Sequence, residues 1–213
     1  VHPFVGSLVL CFGTIFSIVD PFAAVPVYLG LTTNQTKEER SGTALRATLT
    51  TFVILSLFGL AGSIIFDFFS ITLPAFKIAG GILLFNVGLD MMRAQTSKTR
   101  STAEEREEAE TKEDVGIIPL GLPLLSGPGA IATVMVLSGK QKSMDGRLAL
   151  EGAVLLVSLL TFIVLRSATL LARVLGKTGM NVIGRIMGLI LAALAMQFVL
   201  DGMREAFPKL ISG

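Results

Sequence analysis

Val19-Asp20-Pro21-Phe22-Ala23-Ala24-Val25-Pro26 stands near the middle of an apolar run covering residues 4–30. A helix needs about 20 mostly apolar residues to cross a hydrocarbon core ~30 Å thick, so a run of this length places both prolines at membrane depth. Proline lacks an N–H and its ring clashes with the preceding turn, which costs ~3 kcal/mol in a helix interior. The run therefore reads as a transmembrane helix broken or sharply kinked at its centre. Leu125-Ser126-Gly127-Pro128-Gly129-Ala130 holds the corresponding place in a second long run, 116–139, where Gly127 and Gly129 add backbone freedom.

Four further runs, 44–66, 73–92, 148–171 and 180–203, bring the number of expected spans to six. The whole chain agrees with them: 52% of its 213 residues are hydrophobic and only 16% charged, with a mean hydropathy of +0.73. That is too apolar for a water-soluble domain of this size. Inside lipid the backbone N–H and C=O groups find no water, which leaves helices or a closed barrel, and the runs are too long and too little alternating for barrel strands. The expected class is all-α, a polytopic membrane protein.

Composition also removes several functions. A formal charge of +2, with no basic and aromatic surface, argues against nucleic-acid binding. Cys11 is the sole cysteine and His2 the sole histidine, so an intrachain disulfide, the common Cys/His zinc sites and histidine-based triads are excluded. No Gly-x-x-x-x-Gly-Lys motif occurs, so ATP drive within the chain is not expected. The chain opens at Val1 with no basic leader and the first run lacks a small-residue cleavage pattern, so that run is expected to be retained.

Residues 93–114 form the one long polar stretch, dense in Glu104, Glu105, Glu107, Glu108, Glu110, Glu113 and Asp114. It divides the chain into 1–93, a charged linker 94–115, and 116–213. One end of the spans collects Lys37, Arg40, Arg46, Arg93, Lys98, Arg100, Arg106, Lys112, Arg173 and Lys177. The opposite end carries Lys77, Lys140, Lys142, Arg147, Arg204 and Lys209. The excess of positive charge places the first set, with the linker, in the cytoplasm and both termini outside.

The two halves match in order. Pro21 pairs with Pro128, Arg40 with Arg147, Lys77-Ile78-Ala79-Gly80 with Arg185-Ile186-Met187-Gly188, and Asp90-Met91-Met92-Arg93 with Asp201-Gly202-Met203-Arg204, at offsets drifting from 107 to 111. Three spans per half is an odd number, so the second copy enters the membrane from the opposite side. The expectation is two inverted three-helix repeats, the first helix of each broken at mid-membrane, an arrangement characteristic of secondary transporters.

Asp20-Pro21 reads as an N-cap followed by proline at the first helical position, and Gly127-Pro128 as its glycine counterpart. A half-helix should start at each. The amides of Phe22, Ala23 and Ala24, and those of Gly129, Ala130 and Ile131, would then face a shared cavity suited to an anionic group. The small side chains of Ala23, Ala24, Gly127, Gly129, Ala130 and Ala132 imply a small pocket with Phe16 and Phe22 as walls; their plainer role is close helix packing. The candidate substrate-binding set is Asp20, Pro21, Phe22, Ala23, Ala24, Ser126, Gly127, Pro128, Gly129 and Ala130. Asp20, taken as the one acid at membrane depth, is a helix cap, a salt-bridge partner for a substrate ammonium, or a coupling group for H+ or Na+.

Other polar residues receive simpler roles. Asn86 and Gln197 are expected to hydrogen-bond between helices, and the hydroxyls of Thr50, Thr51, Ser56, Ser158 and Thr161 can bond back to their own helices. Lys77, Asp90, Arg166, Arg185 and Asp201 lie toward span ends, where long side chains snorkel and ions pair.

Asp20-Pro21-Phe22 with Val25-Pro26, Phe76-Lys77-Ile78-Ala79-Gly80-Gly81-Ile82-Leu83-Leu84-Phe85, and Ile118-Pro119-Leu120-Gly121-Leu122-Pro123-Leu124-Leu125-Ser126-Gly127-Pro128-Gly129-Ala130-Ile131 together resemble the MarC family of prokaryotic membrane proteins. The third segment is the most specific, and the likeness spans most of the chain. It implies six spans and movement of small neutral amino acids, glycine or alanine, across the plasma (inner) membrane, with export or exchange as the direction. Where the family commonly has Asn-Pro with a glycine two residues on, this chain has Asp20 and Ala23. The expected partners are those amino acids and membrane lipid, with no nucleic acid; a homo-oligomer is compatible with the sequence. No enzyme activity, resident cofactor or metal is expected. A channel and a membrane scaffold are the alternatives to a carrier, and an intramembrane enzyme would need a partner group that Asp20 lacks.

Overall fold

A computed structural model describes residues 3–93, 115–141 and 143–208. The linker at 94–114, with Lys98, Arg100, Arg106, Lys112 and its acidic residues, lies outside the described residues, as do His2, Lys142 and Lys209. Every regular element among the described residues is helical: α1 Pro3–Val19, α2 Pro21–Leu31, α3 Lys37–Phe68, α4 Leu73–Met92, α5 Gly116–Leu125, α6 Pro128–Lys140, α7 Met144–Arg166 and α8 Ala168–Ala206. The protein is an all-α membrane protein.

Five helical stretches are long and apolar enough to cross a bilayer: Phe4–Leu31, Lys37–Gly62, Leu73–Met92, Met144–Arg166 and Asn181–Ala206. The fourth expected span, 116–139, is not one helix. Its first part, α5, is loosely wound in π-type turns, with extended backbone at Ile118 (φ −127°, ψ 123°) and Leu122 (φ −129°, ψ 127°). Those residues precede Pro119 and Pro123, and a proline pushes the residue before it out of the helical region. The regular helix resumes only at Pro128.

Helix starts follow local chemistry. Thr36 and Glu39 cap α3 reciprocally, Glu39 N donating to Thr36 Oγ1 at 3.3 Å and Thr36 N to Glu39 Oε2 at 2.7 Å. Thr72 accepts from Ala75 N ahead of α4, and Ser143 from Gly146 N ahead of α7. The fifth expected span, 148–171, ends earlier than read: α7 stops at Arg166 and a short arm leads to Gly176, whose φ of 60° and ψ of −176° turn the chain before the rest of α8. Only glycine takes that backbone without strain.

The hydrophobic face of α3 shows what solvent the fold expects. Leu45, Leu49, Val53, Leu57, Leu60 and Ile64 all point outward, a stripe at helical spacing that lipid covers and water would not. Inward-facing Thr51 donates back to Ala47 O, and Thr161 of α7 to Val157 O, as their hydroxyls were expected to do.

Close contacts set how the helices run. Gly121 of α5 lies against Thr50 and Ala47 O of α3, while Ser138 near the end of α6 donates to Gly59 O of the same helix at 2.5 Å. α5 and α6 thus advance together along α3, in its direction. α6 runs opposite to α4, with Gly129 beside Leu83 and Leu84 and Gly139 beside Leu73. It also runs opposite to α1, with Gly129 beside Ile18 and Gln141 donating to Cys11 Sγ at 3.8 Å.

α4 and the second part of α8 make the most extensive pairing, antiparallel and nearly backbone to backbone. A Cβ on Gly81 would stand 2.7 Å from Ala195 O, one on Gly88 2.8 Å from Gly188 O, and one on Gly202 2.8 Å from Pro74 O. Lipid tails are as apolar as leucine, so helices in a bilayer associate through such close packing of small residues rather than through hydrophobic burial.

Candidate substrate site at two interrupted helices

At the first interruption Asp20 takes a left-handed backbone, φ 45° and ψ 72°, between α1 and α2. Asp and Asn adopt that region at lower cost than other residues with a side chain, because their short polar groups bond locally. Here Asp20 Oδ1 accepts from Ala23 N at 3.3 Å, and Asp20 itself is fully buried. The cap role read from Asp-Pro is therefore the one observed. It changes the expectation for this half-helix, since the Ala23 amide is engaged by the protein's own carboxylate. Pro21 and Ala24 are buried and Phe22 and Ala23 half-buried. Phe22 meets Phe16 edge-on with ring centres 6.2 Å apart, and Phe16 stacks on Phe12 at 5.7 Å.

The second interruption is built differently. Ser126 is fully buried, but both its Oγ (2.7 Å) and its N–H (3.0 Å) donate back to Gly121 O, closing the end of α5. Gly127 is the N-cap of α6, in extended backbone, and no side chain caps the helix. The Ile131 amide, expected to face a cavity, donates instead to Gly127 O at 3.1 Å. That leaves the first-turn amides of Gly129 and Ala130, in residues that are buried. Pro128 itself is exposed, but buried first-turn N–H groups with no side-chain cap are an unusual arrangement, because they have no partner within the helix.

The two interruptions are neighbours through Ile18, two residues before Asp20, whose Cδ1 faces Gly129. Between them lies a small, partly open cavity of about 10 Å³ lined by Ile18, Val87, Leu124, Leu125 and the segment Gly127, Pro128, Gly129, Ala130. That volume admits one water molecule at most. The shared pocket expected from the sequence is thus too small for an amino acid here, and the residues of the first half-helix, Phe22, Ala23 and Ala24, do not line it.

Two of the charged groups toward span ends, Lys77 and Asp201, form ion pairs, as expected there. Lys77 does not snorkel: it is 1% exposed and its Nζ donates to both oxygens of Glu205, at 2.6 and 2.5 Å, joining α4 to the end of α8. Asp201 of α8 accepts from Lys140 of α6 at 3.1 Å and from Gln197 at 2.7 Å, so Gln197 bonds within its own helix rather than across to another. Asn86 is exposed on the outer side of α4. Asp20 is not the one acid in a span: Glu151 lies inside Met144–Arg166, its Oε1 buried, facing Ser56 and Gly59 of α3. Glu151 stands three residues into the run 148–171, and its position alone was the signal. Among the described residues no three His, Cys, Asp or Glu side chains converge as metal ligands.

Comparison with known proteins bears on the whole of this architecture. The family model described as "MarC family integral membrane protein" matches residues 5–207. A UPF0056 membrane protein of Aquifex aeolicus is 42% identical over 197 residues, 92% of this chain and 92% of that one. The UPF0056 membrane protein YhcE of Escherichia coli is 35% identical, covering 93% and 92%, and YvbG of Bacillus subtilis 36%, covering 96% and 98%. No solved structure matches. These printed names carry no enzymatic activity. With a family model and full-length relatives in agreement, the chain belongs to the MarC family of integral membrane proteins.

Proposed function

We propose that the protein is a secondary transporter of small neutral amino acids, glycine and alanine, across the plasma membrane, working by export or exchange. The observation that carries the reading is the α6 N-terminus without a side-chain cap, at which Gly127, Gly129 and Ala130 are buried and Pro128 is exposed, next to a water-sized cavity and the left-handed break at Asp20. A helix N-terminus holds carboxylates through its free N–H groups and its partial positive charge, worth up to ~2 kcal/mol when partly buried. The Gly129 and Ala130 amides would take the substrate carboxylate. Carbonyls released at the two breaks, with the Asp20 carboxylate, would hold its ammonium group. The Gly127, Gly129 and Ala130 surroundings leave no room for a bulky side chain.

The helix order supports alternating access between two inverted halves. α5 and α6 follow α3 together; taken as one interrupted crossing, they would make six with the five continuous spans. α4 and the second part of α8, matched to each other in the sequence repeat, pack antiparallel, as elements facing each other across a two-fold axis in the membrane plane do. In this reading both termini are outside and 94–115 is cytoplasmic. The cavity is too small for an amino acid, so admitting one needs α6 to move from Ile18 and Leu84. Asp20, already a cap, serves position first and coupling to H+ or Na+ second.

Counterflow of radiolabelled glycine and alanine in proteoliposomes tests the reading. Saturable exchange that is lost in Gly129→Leu, in protein still folded, is the expected result. An open pore would show no acceleration by trans substrate, and a scaffold no flux at all.

A further inference from the structure

At the end of the bundle opposite Lys77 and Glu205, a cavity of about 980 Å³ opens between α2, α3, α7 and the arm that begins α8. Its position relative to the membrane is fixed by three spans: Phe4–Leu31 ends beside it, Lys37–Gly62 begins in it and Met144–Arg166 ends in it. It therefore sits where hydrocarbon gives way to headgroups.

Lys37, Arg40, Arg166 and Arg173 line the cavity against a single acid, Glu38. Arg40 is committed to the fold, donating to Thr32 O at 2.9 Å and Thr33 O at 3.1 Å, while Tyr28 Oη donates to Arg40 O at 2.7 Å. No carboxylate is paired with Lys37, Arg166 or Arg173 among the described residues. Three exposed cations thus line one opening of ligand size, Arg166 also lying over the Phe162 ring at 6.0 Å. Leu45 and Leu170, 55% and 62% exposed, form its apolar border toward the bilayer.

We propose that this cavity binds the headgroup of an anionic phospholipid, with Lys37, Arg166 and Arg173 on its phosphate and an acyl chain laid along Leu45 and Leu170. Basic pockets between helix ends attract anionic headgroups. Guanidinium groups add geometric fit to phosphate oxygens. The apolar border is what favours a lipid over a free phosphate ion, for which leucines offer nothing. Binding there would tie α2, α3, α7 and α8 together at one end of the bundle, independently of whether the protein transports anything.

The test uses the purified full chain in neutral detergent, following thermal unfolding during titration with phosphatidylglycerol, phosphatidylcholine of the same chains, glycerol phosphate, or inorganic phosphate. Saturable stabilisation by phosphatidylglycerol alone is expected. Arg166→Gln/Arg173→Gln should weaken its affinity roughly thirtyfold, and Arg185→Gln, an exposed position outside the cavity, should not. Should the double variant fail to fold, Arg173→Gln alone carries the comparison. Equal stabilisation by phosphatidylcholine would overturn the proposal, as would equal loss in Arg185→Gln. Equal stabilisation by inorganic phosphate or glycerol phosphate would make the site one for a free anion.

Discussion

Gly88 of α4 and Gly188 of α8 are reciprocal neighbours: a Cβ on either would stand 2.8 Å from the other's carbonyl oxygen. Neither backbone can retreat, because Gly81 and Gly202 are equally close to the opposing helix along the same seam. Gly88→Ala or Gly188→Ala should destabilise the protein by about 1–3 kcal/mol through overpacking. Gly184→Ala, on the same face-to-lipid helix but with nothing within 4 Å of its Cβ, should be neutral or slightly stabilising. Thermal unfolding in detergent distinguishes them, and equal effects at Gly184 and Gly188 would refute the close seam.

The ion pair between Lys77 and Glu205 is lopsided, one partner buried and the other 46% exposed. Removing the carboxylate strands a buried cation, whereas removing the amine leaves a carboxylate that water can reach. Glu205→Gln should therefore be the more damaging change, by about 1–3 kcal/mol after allowing for the exposure of Glu205, and Lys77→Met the milder. Denaturation of the two variants side by side checks the order. A milder Glu205→Gln would mean that Lys77 finds another partner.

Asp20 combines a left-handed backbone with the cap on Ala23. Asn meets both demands, so Asp20→Asn should leave stability unchanged. Asp20→Ala should lose about 1–2 kcal/mol with the cap, the same short polar group that makes the left-handed backbone tolerable. If transport persists in Asp20→Asn with its ion dependence intact, the carboxylate is a cap alone. Loss of ion dependence with stability retained would make it a coupling group as well.

The long apolar runs made the helices legible in the sequence, and the prolines made the interruptions legible at Asp20 and Gly127. Some of the rest was there to be read. Pro119 and Pro123 announce extended residues at Ile118 and Leu122, and the loosened α5 follows from them. Glu151 stands inside an apolar run in plain view. Lys77 is different in kind, because its burial depends on Glu205, 128 residues away, and no local pattern carries that. The same holds for the size of the central cavity: small side chains at a break permit either a pocket or close packing, and only the approach of Ile18 and Leu84 to Gly129 decides between them.

Gly127 offers the most direct test of the substrate site. Its φ of −68° and ψ of 175° suit any side chain at an N-cap, and Ser there would turn its hydroxyl to the first-turn amides assigned to the substrate carboxylate. Gly→Ser at an N-cap gains a few tenths of a kcal/mol, so Gly127→Ser should unfold at an unchanged or slightly higher temperature. Radiolabelled glycine and alanine counterflow in proteoliposomes should be saturable in the native protein and lost in this stably folded variant. Undiminished exchange in Gly127→Ser would contradict carboxylate binding at the α6 N-terminus, and no exchange in the native protein would contradict amino-acid transport itself.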